Sequence, residues 1–295
     1  MKIDKKFYKK KENIQSLYDI ESSKVLKIIS FGSNKRFLGL SEKVLISLKK
    51  IYPNSYCKNY QKTDLDASIL NYCNQYKKGY GYWIWKPYLI LKSLRQLPIG
   101  ANLLYVDGRT GLHKKCKKIE WLDKFINSDK YDIGLFKTVH KEYKWTSGDL
   151  FSLFNLKLSS NEANTMQYCA TYLCLKNNLK TQKFIEAWLN ILINKNRFCR
   201  DEISTKPNHE NFIQNRHDQS VLSLLTKISK KSLNLKIFLI PHPLKVNRPT
   251  LIPHFYYRPT GFLNLLKRYI KLLFIVIGLI DKKYIGKYYE GLKID

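Results

Sequence analysis

Leu103-Leu104-Tyr105-Val106 is a short, wholly apolar run that ends on Asp107 and turns at Gly108-Arg109. A run of this kind, stopped by turn residues, reads as a strand buried on both faces, and such strands need helices packed on either side of their sheet. One helix upstream lies Gly79-Tyr80-Gly81-Tyr82-Trp83-Ile84-Trp85-Lys86-Pro87, an aromatic and basic turn. From Tyr88 to Leu97 apolar residues recur at three- and four-residue intervals, and Pro87 suits a first helical turn. Helix followed by a buried strand that ends on a carboxylate places an acidic group at the carboxyl end of a parallel sheet, where open α/β folds bind their ligands.

The same alternation continues along the chain. Val25 to Phe31, Asp132 to Phe136, Tyr168 to Leu175 and Leu235 to Ile240 read as strands. Helical spacing marks Val44, Leu45 and Leu48 (ending near Pro53), then Trp121 to Ile126, Phe184 to Leu192 and Val221 to Ile228. The expected fold is α/β, a Rossmann-like, mostly parallel sheet flanked by helices. Residues 1–23 read as a charged arm, 24–260 as one catalytic domain and 261–295 as a basic amphipathic extension. Within that extension Leu272 to Ile280 is uncharged but about half the ~20 residues that cross a bilayer. Lys267, Arg268 and Lys271 fit a helix lying in the headgroup layer, and equally a C-terminal helix packed on the body.

Lys and Arg number 53 against 23 acids, a formal charge of +30, which favours anionic partners: nucleic acid, an anionic membrane surface or phosphorylated substrates. No helix-turn-helix, zinc or RNA-recognition signature accompanies the charge, so no nucleic-acid partner is expected. The six cysteines are scattered without Cys-x-x-Cys or zinc-ligand spacing, which fits a reducing cytoplasm. Met1 to Lys6 lacks the apolar core of an export signal.

Three clusters carry candidate chemistry. Asp107, at its strand end, is placed to bind a divalent cation or a ribose hydroxyl, or simply to cap its turn. Tyr82, Trp83 and Trp85 offer stacking surface for a base or sugar, and Lys86 a cation for phosphate. The GYGYWIWKP turn is neither a Rossmann fingerprint nor a Walker loop, and at least one of its tryptophans is expected in the core. Arg216-His217-Asp218-Gln219 opens the Val221 helix, where a helix N-terminus favours bound anions and Asp218 can also serve as N-cap. Between these, Glu142, Trp145 and Thr146 are candidates for an acceptor hydroxyl and Asp149 for a base.

The segments KIISFGS, GYGYWIWKPYLIL, LLYVDG, KWTSGDLF and RHDQSVLSLL together resemble bacterial glycosyltransferases of the GT-A fold, of the capsule and lipopolysaccharide type, from about residue 25 to 228. The resemblance implies a nucleotide-sugar donor, a UDP-sugar, bound across the carboxyl ends of the strands, and an oligosaccharide or polyprenyl-linked acceptor. It is also distantly similar to retaining transferases whose Asp-x-Asp motif holds manganese. Carried over, Asp107 matches the first metal-motif acid, Asp218 and Gln219 the pair near the anomeric carbon, and His254 the last ligand of a Mn2+ or Mg2+ site. Arg109 stands where the second acid is expected, which weakens a cation site and offers a guanidinium to the leaving diphosphate, together with Lys86 and Arg216. The basic charge and the 261–280 pattern fit a cytoplasmic location, peripheral on the inner membrane face. The competing functions are a nucleic-acid-binding protein, a transferase of sugar phosphates and an inactive scaffold.

Overall fold

A computed structural model describes residues 24–112, 116–241 and 251–252. The expected arm 1–23, the extension 261–295 and His254 lie outside the described residues. The strands are β1 (Leu26–Phe31), β2 (Tyr56–Tyr60), β3 (Asn102–Val106), β4 (Gly111–Leu112), β5 (Ile133–Leu135), β6 (Lys137–Lys141), β7 (Met166–Tyr168), β8 (Tyr172–Lys176), β9 (Ile237–Leu239) and β10 (Leu251–Ile252). The helices are α1 (Lys35–Ile51), α2 (Ala67–Gln75), α3 (Gly79–Tyr82), α4 (Trp85–Arg95), α5 (Glu120–Ile126), α6 (Glu142–Trp145), α7 (Gly148–Leu153), α8 (Asn161–Asn164), α9 (Leu179–Asn194) and α10 (Asp218–Ser232).

Six strands form the central sheet in the order β2-β1-β3-β8-β5-β9. It is mostly parallel, with β8 running against both neighbours. That reversal brings the start of β8, not its end, to the edge where β3 delivers Asp107; Asp107 N–H donates to Thr171 O there at 2.8 Å.

Side-chain alternation divides the core into two. Ile28, Leu104 and Cys174 are register partners and pack with Val44, Leu45 and Leu48 of α1 and Phe125 of α5. Ile29, Tyr105 and Leu173 face the other way, against Leu89 and Ile90 of α4, Trp188 of α9 and Val221 and Leu222 of α10. All five residues of β3 are buried, as its unbroken apolar run requires. No helix among the described residues is long and apolar enough to cross a membrane.

The aromatic turn has an unusual backbone. Gly79, Tyr80, Gly81, Tyr82 and Trp83 all have positive φ, from 50° to 80°, so the chain makes a left-handed turn before α4. Left-handed backbone costs L-residues about 1–2 kcal/mol each, which the packing around Tyr80, Tyr82 and Trp83 must offset. The Gly81 amide bonds Tyr76 O and the Tyr82 amide bonds Lys78 O, both at 2.9 Å, and Trp85 Nε1 donates to Gly79 O at 3.0 Å. Both glycines are sterically fixed: a Cβ on Gly79 would meet the Trp83 ring at 2.3 Å, and one on Gly81 would meet Cys73 Cα at 2.7 Å.

Candidate active site at the carboxyl ends of the parallel strands

The left-handed turn delivers Trp85 and Lys86 to the first turn of α4, directly over the ends of β1 and β3. Trp85 stacks on Phe31, the last residue of β1, with ring centroids 4.2 Å apart. Lys86 is turned inward with only 4% of its side chain exposed. Its Nζ donates to Asp218 Oδ2 at 2.8 Å and to Ala170 O at 3.1 Å, and lies 3.8 Å from Asp107 Oδ1. One ammonium therefore joins the end of β3, the start of β8 and the start of α10. A cation in the first turn of a helix opposes the helix dipole, and the two carboxylates offset that.

The carboxylates differ. Asp218 is 6% exposed, and its backbone oxygen accepts from Trp188 Nε1 at 3.0 Å. Burial, with Asp107 adding to it and Lys86 only partly opposing, pushes Asp218 up to about 6. Asp107 is 22% exposed; its Oδ1 accepts from the buried Tyr105 hydroxyl, and no hydrogen bond from the described residues reaches Oδ2. Burial, reinforced by Asp107, keeps the Tyr105 phenol protonated and donating. Burial by itself would lower Lys86, but Asp107 and Asp218 outweigh it and raise the ammonium.

His217 adjoins this cluster at a positive φ of 53°. Its Nδ1 lies 2.8 Å from Cys199 O, a carbonyl that can only accept, so Nδ1 carries the proton. Burial lowers His217 to about 4, helped by Lys78 and Arg216, so the ring is neutral at pH 7. Trp83 stacks on it at 5.5 Å and Tyr82 tilts against it at 5.2 Å. Tyr82 and Trp83 are thus half-buried partners of His217.

Of the cations expected at a diphosphate, Lys86 alone meets the carboxylates. It is too enclosed to reach phosphate and instead holds Asp107 and Asp218 in place. Arg109 is exposed with its guanidinium 5.8 Å over Phe37 of α1, and the Arg216 guanidinium lies 3.9 Å over the Trp145 ring. Gln219 is bound into the fold: its Oε1 accepts from Ala170 N at 3.2 Å and its Nε2 donates to Gln167 Oε1 at 2.7 Å.

Glu142, Trp145 and Thr146, expected at an acceptor, are fully enclosed. Glu142 Oε1 accepts from Thr146 Oγ1 at 2.6 Å and Gln167 Nε2 at 3.0 Å, while Oε2 takes Ser223 and Lys227. With every lone pair committed, this trio forms an internal network that ties α6 to β7 and α10. Asp149, expected as a base, accepts from Thr205 N at 2.9 Å, Thr205 Oγ1 at 2.7 Å and Lys206 N at 3.0 Å. Burial would raise it, but the Thr205 and Lys206 hydrogen bonds prevail and hold it below the usual carboxylate range. A carboxylate so engaged is a poor base and a good anchor.

No protein-family model matches the chain, and no curated protein matches it. Among solved structures, similarity is found to the crystal structure of a glycosyltransferase involved in the glycosylation of the major capsid of PBCV-1. Identity is 9% and the TM-score 0.35, over 57% of this chain and 66% of that one, just under two thirds of its length.

Among the described residues the donor set does not build a divalent-cation site. Mg2+ and Ca2+ collect six or more oxygens. Among the described residues no three His, Cys, Asp or Glu side chains come together for a metal. Asp107, the expected first ligand, lies 3.8 Å from the Lys86 ammonium, and His254, the expected last ligand, lies outside the described residues.

Ala170 lies in no motif, and the bond from the Tyr105 hydroxyl to Asp107 could not be read from its place in the LLYVDG run. These roles arise from the reversed strand β8 and from inward-facing β3.

Proposed function

We propose that the protein is a glycosyltransferase that moves a sugar from a nucleotide-sugar donor, a UDP-sugar, to a glycan or polyprenyl-linked glycan. On this reading it works at the cytoplasmic face of an anionic membrane in bacterial surface-polysaccharide synthesis. The observation that carries the reading is the Lys86 bridge, which brings Asp107 and Asp218 together at the ligand-binding edge of a mostly parallel sheet. Asp107 presents its uncommitted Oδ2 to a donor hydroxyl. Asp218, ionised above about pH 6, lies behind Lys86 and Asp107 and adds its negative charge to the field at the anomeric carbon as the bond to the diphosphate oxygen breaks and positive charge grows on the sugar ring. Arg109, exposed at the same strand end, offsets the negative charge that grows on the departing diphosphate. The acceptor hydroxyl oxygen forms the new bond to the anomeric carbon, and its proton passes to the departing diphosphate. Lys86 is a positioning residue that fixes both carboxylates and keeps their mutual repulsion from dispersing them.

The test is a thermal-shift screen of nucleotide sugars with the full chain, with and without a chelator, followed by transfer assays. A ligand that binds the native state raises the melting temperature by mass action. A UDP-sugar is expected to raise it, chelator or not, and Asp218→Asn to abolish turnover while leaving that shift in place. If no nucleotide sugar moves the melting temperature, the reading fails.

A further inference from the structure

A cavity of about 310 Å³ lies beneath the segment that joins the 3-10 turn Asn196–Cys199 to α10. Residues 200–217 contain no regular secondary structure, and a connection that long in a packed fold is retained for function or is disordered. This one is strapped down. Asp149 holds Thr205 and Lys206, Asn208 Oδ1 accepts from Gly148 N at 2.7 Å, and Lys78 grips Asp201 at 2.6 Å. Ile213 N–H donates to Lys144 O at 2.8 Å, and Tyr143 stacks on His209 at 4.1 Å. The space enclosed is at the lower end of the ~300–1,000 Å³ of small-molecule sites.

Its lining has a definite chemistry. Phe198 and Phe212 supply ring surface, and Asn208, Gln214 and Asn215 supply carboxamides. Asn215 Nδ2 donates to Phe198 O at 2.9 Å, which fixes the amide orientation and leaves its buried Oδ1 without a partner. The Gln214 carboxamide makes no hydrogen bond to the described residues. Unpaired amide groups beside an aromatic face suit a ring that carries hydroxyls on its edge and C–H groups on its flat side. The charge is equally telling. In a chain of +30, this cavity sets Asp149, Asp201 and Glu202 against Arg197 and Arg200. Arg200 is itself paired with Tyr76 and Glu202. With three carboxylates to two guanidinium groups, such a lining favours a neutral polyol over phosphate.

The cavity adjoins the carboxylate site through one side chain. Asp201 Oδ1 lies 3.6 Å from His217 Nε2, and His217 precedes Asp218. Cys199, next to the lining residue Arg200, holds the other ring nitrogen.

We infer that this cavity binds a neutral carbohydrate, and, resting on the function proposed above, that it is the acceptor subsite. The binding claim stands on the cavity itself; only the word acceptor depends on the transferase reading. Asp149 is then the strut that holds the cavity roof.

Saturation-transfer NMR on the full chain tests it, with methyl glycosides of neutral hexoses and N-acetylhexosamines as probes and inorganic phosphate as competitor. At least one glycoside should bind, phosphate should not displace it, and Gln214→Ala should weaken it tenfold or more. Ile203 lines the cavity yet is 92% exposed, so Ile203→Trp narrows the mouth without disturbing the core and should weaken it as much. Binding by none of the glycosides, displacement by phosphate, or full affinity in both variants would overturn the inference. Glycoside binding that both variants weaken, in a protein no nucleotide sugar stabilises, would uphold the cavity and sink the transferase reading. A UDP-sugar shift with no glycoside binding would do the reverse.

Discussion

Lys86 and Asp218 lie 132 positions apart and meet at 2.8 Å inside the protein, where neither side chain touches bulk water to any extent. The pair is the hinge of the site, since removing either member leaves the other charge buried. Breaking a buried pair from one side costs about 3–5 kcal/mol. Lys86→Met is therefore expected to lower unfolding free energy by about that much at pH 7 and to abolish turnover. Urea denaturation would show it. A variant as stable as the parent would mean that the carboxylates do not depend on the ammonium.

The neighbours His217 and Asp218 make opposite proton demands on folding. Asp218 is raised from 3.8 to about 6, so the folded state prefers its protonated form and loses stability as pH climbs between those values. His217 is lowered from 6.5 to about 4, so the folded state prefers it neutral and gains stability over nearly the same range. The two contributions therefore oppose one another across that range. Asp218→Asn should thus steepen the rise of stability from pH 4 to 6 relative to the parent. His217→Asn, which tolerates the positive φ, should flatten or invert it. Chemical denaturation across that range reads both slopes. Parallel curves for parent and variants would contradict the assignment.

Turnover should follow the same group. If ionised Asp218 stabilises charge on the sugar, the rate rises with pH through a midpoint near 6 and levels off above it. A rate that does not change from pH 5 to 7 would exclude Asp218 from the chemical step.

Gly79→Ala and Gly81→Ala both force a Cβ into occupied space at positive φ. Overpacking of this kind costs about 1–3 kcal/mol and the left-handed backbone about 1–2 more. Gly81→Ala should be the more damaging, because its obstacle is the Cys73 backbone, whereas the Trp83 ring facing Gly79 can rotate. Loss of the Trp83–His217 stack should appear in Gly79→Ala as altered tryptophan fluorescence. Equal melting temperatures for the two variants would refute the steric account.

Asp149→Asn should free the 204–206 stretch without unfolding the body. Hydrogen bonds to a charged group contribute about 1.5–3 kcal/mol, and the Thr205 and Lys206 contacts are of that kind. Because Asp149 titrates below its ordinary value when folded, its contribution is complete above that value and fades as pH falls below it. Limited proteolysis between residues 200 and 217 is the measurement, and unchanged cleavage would show that the segment is held by other means.

Much of the architecture was legible in the residues. The buried run of β3, the Val25–Phe31 strand and the amphipathic spacing of α9 and α10 each follow from a local pattern. β2 was not legible: Tyr-Cys-Lys-Asn-Tyr sits at the sheet edge, mostly exposed, and an edge strand need not alternate apolar with polar. The expected strand from Tyr168 to Leu175 is two strands broken at 169–171, and that break supplies Ala170 to Lys86. Asp107, Lys86 and Asp218 could be picked out singly because each stands at the end or start of a strongly patterned element. The burial of Glu142, Trp145 and Thr146 was not legible, because such residues look alike in sequence whether they face a ligand or one another.

The long span between Lys86 and Asp218 also bears on how the chain matures. Contacts between distant segments form late, because the intervening chain must first be ordered. A nascent polypeptide released before α10 is translated has the ammonium of Lys86 in place with only half of its counter-charge, so ribosome stalling or truncation upstream of residue 218 yields a product unable to complete its interior.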